Sequence, residues 1–322
     1  MRIRDAVLAE LLLKREQYLS GEELAALLSV SRSAVWKAIG QLRSEGYAIE
    51  AGTNRGYRLI GGDVLSREGV SRFLTTPDID VHVYSSVGST NTLLKAWAED
   101  GCAEGTVAAA EEQTSGRGRR GRSFFSPRGT GLYLSILLRP ESNAGAALGI
   151  TTAAAVAAAE AIEALSGEPT QIKWVNDIYL RGKKVCGILT EASLDVESGG
   201  LRYAIVGIGI NVLQPAGGFP NELRAVAGSI FKDSALPDLR NRLAASLIDR
   251  FFVHFRQLGD EECYEAYRRR CSVLGRRVTV LSGGVAVAEG EVLDLERDYS
   301  LRIRYDDGTE SLLSSGEVSV LA

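Results

Sequence analysis

Two changes in the pattern of apolar residues along the chain constrain its fold more than any other feature. Residues 1–62 read as short helices followed by a hairpin, residues 66–270 alternate strand-like and helix-like segments, and residues 271–322 contain short strands between turns. A chain of 322 residues is long enough for two or three domains. We therefore predict three domains with these boundaries, the first two joined by a linker at Gly61-Gly62-Asp63.

The amino-terminal block has the pattern of a winged helix-turn-helix. Apolar residues on one helical face mark a first helix within 2–17, Ser20 begins a capping box ahead of a second, and Ser31 caps a third. The short runs 47–50 and 56–59 flank turn residues that are typical of a hairpin. The order of these elements predicts a winged helix-turn-helix domain.

In such a domain the third helix enters the major groove of DNA and the wing contacts the backbone or the minor groove. Residues 1–62 carry nine Lys/Arg against seven Asp/Glu, whereas the whole chain has a net charge of -4. This composition excludes a globally basic coat protein and leaves a small local excess for DNA contact. Protein contact or oligomerisation is the alternative use of the domain. The exposed candidates for DNA contact are Ser31, Arg32, Ser33, Trp36, Lys37 and Arg43 on the helix, with Asn54, Arg55 and Arg58 in the wing.

The central block predicts a mixed sheet backed by helices, which is an α+β arrangement. Apolar, β-rich runs fall at 80–84, 106–110, 131–138, 172–180, 184–190 and 203–211. Helical patterns fall at 91–99, 144–165 and 238–270. The run 144–165 is mostly alanine and contains two glutamates, so it predicts a buried helix rather than a membrane span.

The carboxy-terminal block changes to short strands separated by glycine-containing turns. The predicted strands are 278–281, 285–288, 291–295 and 301–305. Their spacing predicts a small antiparallel barrel.

Residues 116–122 hold four arginines and three glycines in seven positions. Gly116, Gly118 and Gly121 formally match a dinucleotide fingerprint, but no helix pattern follows them, and the Gly-Lys-Ser/Thr of a P-loop is absent. Because glycines are costly to order and like charges repel, we expect this loop to stay mobile until an anion organises it. Phosphate or carboxylate is the expected anion, since arginine binds both with two hydrogen bonds. A solvated basic loop or a nucleic-acid patch is the alternative.

Lys184 lies on a predicted strand that is otherwise rich in apolar residues, where an unpaired ammonium would be expensive to bury. Strand alternation places it on the face of Cys186 and Ile188, opposite Lys183. This position favours an anionic ligand, and a lysine exposed on an edge strand is the alternative.

Small residues mark two further segments of the central block. Gly207 and Gly209 allow a ligand ring or another backbone to approach their strand closely. Ser89 and Thr90 precede a helix, so their hydroxyls are either ligand contacts or helix N-caps.

The cysteines and histidines lack the spacing of a metal site. No two of the four cysteines are at Cys-x-x-Cys spacing, and the two histidines form no paired ligand set. We predict no metal held by the protein alone and expect any metal to be Mg²⁺ carried by a nucleotide. Unpatterned cysteines and no signal peptide favour a reducing cytoplasm, and no membrane contact is expected.

Three motifs occur in a fixed order: Gly-Arg-Gly-Arg-Arg-Gly-Arg at 116–122, Lys-Trp-x-Asn-Asp at 173–177 and Lys-x-x-Gly-Ile-Leu at 184–189. Together they resemble the bifunctional bacterial biotin–protein ligases that also repress biotin synthesis genes, and the resemblance covers nearly the whole chain. It implies a catalytic domain of the lipoate–biotin ligase type, similar to class II synthetases, followed by an SH3-like barrel. It also implies that biotin and ATP form biotinyl-5'-AMP, with Mg²⁺ on the nucleotide. The biotin then passes to a lysine of a biotin carboxyl carrier protein, of acetyl-CoA carboxylase or a similar carboxylase.

The same resemblance implies a role for each matching residue. The biotin head would be bound by Ser89, Thr90, Asn91 and Gln113. The carboxylate end would be wrapped by Gly116, Arg117, Gly118 and Arg119. Lys184 would lie at the reacting carboxylate and α-phosphate, with Asn176 and Asp177 beside the nucleotide and the incoming lysine. The catalytic set is Lys184, Arg119 and Asp177, and the ligand-binding set is completed by Lys173, Gly187, Gly209 and Asn211.

The sequence departs from the family pattern at three positions. Val175 stands where proline is common, and Ser123-Phe124 stand where a basic residue and tryptophan are familiar, which are expected to be positions behind the site or on a dimer surface. Residues 212–235 match loosely, so no nucleotide contacts are assigned there.

The family implies a homodimer that forms on ligand binding and binds operator DNA. The alternatives are a DNA-binding regulator with little ligase activity and a lipoate–protein ligase, although an amino-terminal winged helix is not expected in the latter.

Overall fold

The computed structural model describes residues 2–140, 146–194, 200–233, 236–282 and 284–321. The chain divides into two compact units, one made of Met1–Thr75 and Asp233–Ser246, the other of Thr76–Lys232 and Leu247–Ala322. Most of the segments predicted as the second and third domains therefore lie in the second unit. The domain boundaries themselves stay a prediction.

The first unit contains the predicted helix-turn-helix and its wing. Ser20 Oγ accepts a hydrogen bond from the amide of Glu23 at 3.0 Å in a capping box, and Ser31 Oγ accepts from the amide of Ala34 at 3.2 Å. The two strands of the wing pair antiparallel. The elements are α1 (Ile3–Leu13), α2 (Gly21–Leu28), α3 (Arg32–Ser44), β1 (Ala48–Gly52), β2 (Gly56–Gly61) and α4 (Arg67–Ser71), the last of which the sequence pattern did not predict.

The core of the first unit comes from apolar residues at helical spacing. Val35, Ile39 and Leu42 lie on one face of α3 and are at most 1% exposed. They pack in one cluster with Leu24 of α2 and Leu59 of β2. Each such side chain contributes roughly 1.5–3 kcal/mol by leaving water, and this fixes which face of α3 remains outside.

The second unit is built on a seven-stranded mixed sheet in the order β3-β4-β5-β9-β8-β7-β6. The pair β3 and β4 is parallel, and the other neighbouring pairs are antiparallel, as the prediction of a mixed sheet requires. The strands are β3 (Asp80–Tyr84), β4 (Thr106–Ala110), β5 (Gly131–Leu138), β6 (Gln171–Lys173), β7 (Asp177–Leu180), β8 (Lys183–Leu194) and β9 (Leu201–Asn211).

The helices that accompany this sheet are α5 (Thr90–Glu99), α6 (Ala146–Ser166), α7 (Leu239–Arg256) and α8 (Glu261–Arg268), of which α7 is shared between the two units. Helix α6 is long and apolar enough to cross a membrane by length and composition, but 61% of its apolar 18-residue stretch is buried inside the protein. It contacts β8, β9 and α8, as the prediction of a buried helix requires. Positions 144 and 145 of the predicted helix lie outside the described residues.

Two predicted elements are wrong because each contains a turn that periodicity does not reveal. The run 172–180 is not one strand: β6 and β7 form an antiparallel hairpin whose turn is 174–176. The predicted helix 238–270 breaks between α7 and α8, where Gly259 has a φ of +93° and Asp260 occupies the N-cap of α8.

A five-stranded antiparallel sheet ends the second unit, in the order β13-β12-β11-β10-β14. It matches the SH3-like prediction in strand direction, but the pairings among the described residues do not close it into a barrel. The glycine-containing turn predicted between the strands 285–288 and 291–295 is absent, because Gly290 lies inside one continuous strand, where a Cβ would come 2.5 Å from Arg304 O of the next strand. The strands are β10 (Arg277–Ser282), β11 (Val285–Leu295), β12 (Leu301–Tyr305), β13 (Glu310–Leu313) and β14 (Glu317–Val320), of which the last two were missed.

Candidate active site

A cavity of about 410 Å³ in the second unit brings together the predicted site residues. Its walls come from the loop 116–122, the start of α5, the strands β7, β8 and β9, and the edge strand β14. The predicted residues that line it are Ser89, Thr90, Asn91, Gln113, Arg117, Gly118, Arg119, Lys173, Asn176, Asp177, Lys184, Gly187, Gly209 and Asn211. Gly116 does not line the cavity: it is buried, and its carbonyl accepts from the amide of Phe124 at 2.9 Å.

Lys184 reaches into the cavity and pairs with Asp177, with 2.7 Å between Nζ and Oδ1. The prediction that Lys184 shares its face with Cys186 is wrong. A register shift between β7 and β8 opposes Tyr179 to Lys184 but Ile178 to Cys186, so Val185 is an additional residue in the strand. The bulge reverses the alternation and places Lys184 beside Gly187, whose Cβ would lie 3.3 Å from Lys184 Cε.

The neighbours of Lys184 on β8 serve other purposes. Cys186 is fully buried, and burial raises the pKa of its thiol far above the usual range, so it is an inert packing residue. Lys183 does not line the cavity, and its ammonium contacts the carbonyl oxygens of Arg224 and Ala225. Lys184 is therefore the lysine of β8 that faces the cavity, as predicted.

Three of the four loop arginines, Arg119, Arg120 and Arg122, contact carbonyl or carboxylate oxygens of other segments. Arg119 Nη1 donates to Asn176 Oδ1 at 2.8 Å, and Nη2 donates to the carbonyl of Gly316 at 3.3 Å. Burial lowers the pKa of the Arg119 guanidinium from its usual value, which reflects how far this charge is withdrawn from water. Arg122 pairs with Glu317 at 3.1 Å and Arg120 lies 3.9 Å from the same carboxylate. These carboxylates and carbonyls offset the mutual repulsion of the loop arginines.

The floor of the cavity is a connected set of hydrogen bonds. Asn91 Oδ1 accepts from Ser135 Oγ at 2.6 Å, and Ser135 Oγ also lies 2.7 Å from Thr90 Oγ1. The amide and hydroxyl of Thr90 donate to Gln113 Oε1 at 2.9 and 3.1 Å. Ser89 occupies the N-cap position of α5, but its hydroxyl makes no capping hydrogen bond and stays available to a ligand. Ser135 is fully buried and was missed, because one serine in an apolar strand carries no signal of its own.

The glycines of β8 and β9 admit side chains of this chain rather than leave empty space. Gly187 and Gly209 are opposite each other across the strands, and Phe124 covers both, with 2.5 Å from a Cβ at Gly209 to Phe124 Cε1. A Cβ at Gly207 would overlap the amide of Asn91. Phe124 and Ser123 both line the cavity, so the expectation that they lie behind the site is wrong, whereas a place on a dimer surface stays a prediction.

Two segments contribute cavity residues that the sequence did not identify. The loosely matching stretch 212–235 supplies Phe219, Leu223, Val226 and Ala227, and the carboxy-terminal sheet supplies Leu281, Glu317, Val318 and Ser319. Asn211 ties the first segment to β9, since its side-chain amide donates to the carbonyl of Gly228 at 3.0 Å.

Within the described ranges, no group of three His, Cys, Asp or Glu side chains could hold a metal ion. The four cysteines are unpaired: Cys102 is half-buried, whereas Cys186, Cys263 and Cys271 are buried.

The predicted DNA-contacting residues lie on an exposed surface of the first unit. Arg32, Ser33, Trp36, Lys37 and Arg55 are all exposed, and Trp36 is 68% exposed although tryptophan is usually buried. Of the further candidates, Ser31 is occupied as the cap of α3, Arg43 donates to the carbonyl of Ile49 at 2.8 Å, and Arg58 pairs with Glu50 at 2.6 Å. The guanidinium of Arg55 stacks 4.2 Å from the ring centre of Tyr18.

Two family models match the sequence: the biotin/lipoate A/B protein ligase family over residues 83–211 and an HTH domain over residues 4–58. The chain is 42% identical over 221 residues to the bifunctional ligase/repressor BirA of Bacillus spizizenii, an alignment that covers 68% of this chain and 67% of the relative. It is 33% identical over 247 residues to the biotin–[acetyl-CoA-carboxylase] ligase of Mycobacterium tuberculosis, covering 73% of this chain and 87% of the relative. Among solved structures, it matches the biotin protein ligase of Aquifex aeolicus in complex with biotin and ATP, with a TM-score of 0.63, 29% identity and coverage of 75% of this chain and 98% of the other.

Proposed function

This chain belongs to the biotin/lipoate A/B protein ligase family, among its bifunctional ligase/repressor members, and on that premise we propose that it is an ATP-dependent biotin–protein ligase that also represses transcription. The observation that carries the proposal is one cavity in which a lysine and an arginine lie beside a polar floor and an aromatic wall. Biotin has matching parts: a polar ureido head, an apolar bicycle and a chain that ends in a carboxylate.

The floor offers hydrogen-bonding groups of the kind that a ureido head needs. A ureido group has one carbonyl acceptor and two N–H donors. Gln113 Nε2 donates one of its protons to Ser126 Oγ at 3.1 Å and keeps the other, and the Ser89 hydroxyl can both donate and accept. We assign the head to Ser89, Thr90 and Gln113, with Asn91 holding the floor beneath them.

Phe124 and the glycines beneath it would hold the apolar part of biotin. Its ring packs directly on the backbone of Gly187 and Gly209, because neither residue has a side chain. The ring therefore forms an aromatic surface in the cavity. Arg117, Gly118 and Arg119 of the loop would then close on the carboxylate end. The hydrogen bond from the amide of Phe124 to the carbonyl of Gly116 would hold the start of this loop.

The first reaction step joins a biotin carboxylate oxygen to the α-phosphorus of ATP and breaks the bond to pyrophosphate. Negative charge grows on the phosphoryl oxygens as this bond breaks, and a fixed cation nearby lowers the barrier electrostatically. We assign the role of the fixed cation to Lys184, assisted by Arg119. Both residues line the cavity, and Asn176 holds the Arg119 guanidinium in place. Lys173, Asn176 and Asn211 would bind the nucleotide.

The second step transfers biotin to a lysine of a biotin carboxyl carrier protein. The lysine nitrogen attacks the acyl carbon, the bond to AMP breaks, and the ammonium proton must leave before the attack. Asp177 lies 2.7 Å from Lys184 and would exchange that partner for the incoming ammonium, which makes it the orienting group or the base.

Mg²⁺ would arrive on the phosphates of ATP and supply charge neutralisation there. The described residues that line the cavity include Asp177 and Glu317 as carboxylates, and both are already engaged by cations. This donor set does not fit a metal cage built by the protein alone, and it fits a metal that retains its water and phosphate ligands.

The amino-terminal unit would carry the repressor activity. We propose operator contact through Arg32, Ser33, Trp36 and Lys37 on α3 and Arg55 in the wing, and we keep the domain boundaries 1–62, 66–270 and 271–322.

Binding of the adenylate would order the loop 116–122 and favour a homodimer over two half-sites, as linkage requires when a ligand binds the dimer more tightly than the monomer. The free cysteines and the family favour a cytoplasmic location. Sedimentation with and without biotin and ATP tests the dimer, and an identical monomer fraction in both would reject it.

The test of the ligase is a transfer assay with purified chain, ATP, a carrier domain and labelled biotin or labelled lipoate. We expect label on the carrier with biotin and none with lipoate or without ATP. Label only with lipoate would make the chain a lipoate–protein ligase. No label, together with a biotin-dependent shift of operator DNA, would favour a regulator with little ligase activity.

A further inference from the structure

Glu191 lies on β8 and does not line the cavity, yet it binds Arg117 of the loop 116–122. Arg117 Nη1 donates to Glu191 Oε2 at 3.0 Å, and Arg117 Nη2 lies 3.0 Å from Oε1. The pair is therefore bidentate, which fixes the direction of the guanidinium as well as its distance. The Arg117 side chain is 47% exposed and that of Glu191 is 29% exposed, so the loop is attached at the cavity rim.

The same carboxylate also fixes the floor of the cavity. Asn91 Nδ2 donates to Glu191 Oε2 at 2.9 Å and to the carbonyl of Leu189 at 3.2 Å. With both amide protons given to these acceptors, Asn91 Oδ1 faces Ser135, which donates to it at 2.6 Å. Glu191 thus determines the orientation of the buried Asn91 amide on which the floor is built.

The floor also connects to the segment that directly follows the loop. Thr90 donates to Gln113 Oε1, and Gln113 Nε2 donates to Ser126 Oγ at 3.1 Å. Ser126 Oγ in turn donates to the carbonyl of Phe124 at 2.9 Å. Arg117 inside the loop and Phe124 just after it are consequently tied to one hydrogen-bonded floor.

We propose that Glu191 is a positioning residue, which couples closure of the loop 116–122 to the formation of the floor that receives the substrate head. It acts through Arg117 and Asn91 and contacts no reacting atom. The inference deepens the proposed function and rests on it for its kinetic readout, whereas the coupling itself is testable without substrate.

The variant Glu191→Gln tests the coupling because it keeps the shape of the side chain and removes its charge. One glutamine oxygen cannot replace both carboxylate oxygens, so Arg117, which contacts both, faces an NH₂ group in either orientation of the amide, and Asn91 faces one when the NH₂ group takes the place of Oε2. We expect the KM for biotin in adenylate formation to rise about tenfold, the size that follows from losing one charge-assisted hydrogen bond, while kcat changes less than twofold.

Limited digestion with trypsin supplies a readout that needs no activity. Arg117, Arg119, Arg120 and Arg122 are all trypsin sites, and Glu191→Gln leaves every one of them in place. We expect cleavage in the loop of the substrate-free full chain to be at least several-fold faster in the variant. The matched control is Glu112→Gln, which breaks the Arg128–Glu112 pair of 3.2 Å just outside the loop, with similar exposures of 56% and 35%.

Arg117→Gln guards against a fold defect, because it changes only the more exposed partner of the pair. It should open the loop to the remaining trypsin sites, and adding Glu191→Gln to it should accelerate their cleavage no further, since the two residues act as one unit. Loop cleavage and a KM in Glu191→Gln that equal those of Glu112→Gln would overturn the proposal. So would additive effects of Glu191→Gln and Arg117→Gln on cleavage. Failure of the proposed function would appear separately, as an inactive wild-type chain whose loop still responds to Glu191→Gln.

Discussion

Replacing Lys184 by alanine separates the role of one charge from the stability of the fold. The Lys184 side chain is 32% exposed and its partner Asp177 is 24% exposed, so the pair is only partly withdrawn from water. A pair of this kind contributes at most about 1 kcal/mol to folding. For a domain of this size, such a loss lowers the melting temperature by no more than about 4 °C.

The catalytic loss should be much larger than the stability loss. Removing one preorganised group that stabilises transition-state charge costs about 2.7–4 kcal/mol, which is a rate decrease of about 100- to 1,000-fold. The assay is pyrophosphate release with biotin and ATP in the absence of carrier, because this isolates adenylate formation. The melting profile of the same preparation gives the stability.

Lys183→Ala is the matched control for this experiment. Lys183 precedes Lys184 on β8 and carries the same charge, but its ammonium contacts the carbonyl oxygens of Arg224 and Ala225 and does not line the cavity. We expect Lys183→Ala to retain adenylation within about threefold, since surface changes cost little. Equal losses in the two variants, or a Lys184→Ala enzyme within threefold of wild type, would refute the assigned role of Lys184.

Three further outcomes test other parts of the structure. Gly207→Ala should destabilise the protein by about 1–3 kcal/mol, because its Cβ overlaps the amide of Asn91, and thermal unfolding that matches wild type would contradict this close approach. Burial opposes ionisation of Glu163, but hydrogen bonds from Arg270 and Thr170 outweigh it and lower the pKa of Glu163 to about 2. Because the folded-state pKa lies below the ordinary value of 4.5, the pair stabilises the protein above that pH, and the stability advantage of wild type over Arg270→Met in urea unfolding should shrink as the pH falls from 4.5 toward 2. Lys37→Ala should reduce the slope of log K against log salt for DNA binding by about 0.9 if that side chain contacts one phosphate, and an unchanged slope would remove it from the interface.

Local patterns were sufficient for elements whose signals lie within a few residues. The caps at Ser20 and Ser31 and the strand 80–84 were predicted correctly, because a cap needs a partner within three residues and a strand needs only its own alternation. The run 172–180 failed because its turn contains Trp174 and Asn176 instead of glycine or proline. Gly290 failed for the opposite reason, since a glycine marks close approach as well as a turn.

The candidate site was predicted in its residue types more completely than in its geometry. Every predicted ligand-binding residue lines the cavity except Gly116, but the motifs did not include the polar cavity residues Tyr179, Glu317 and Ser319. They misplaced Lys184 relative to Cys186, because a bulge in β8 depends on pairing with β7 and leaves no mark in a single strand. They also misjudged Phe124, whose place over Gly209 is decided by how the loop folds back on the sheet.

What the sequence by itself determined is chemical: a loop too rich in glycine and arginine to be a helix or a strand, a lysine on an apolar strand, and capped helices at the amino terminus. What only the tertiary structure decided is which distant groups satisfy them. Glu317 lies 195 positions from Arg122, and Glu191 lies 74 positions from Arg117, yet each pair is in contact. The physical reason is that periodicity and capping act within one or two turns of chain, whereas the partner of a charge is selected by the packing of the whole sheet.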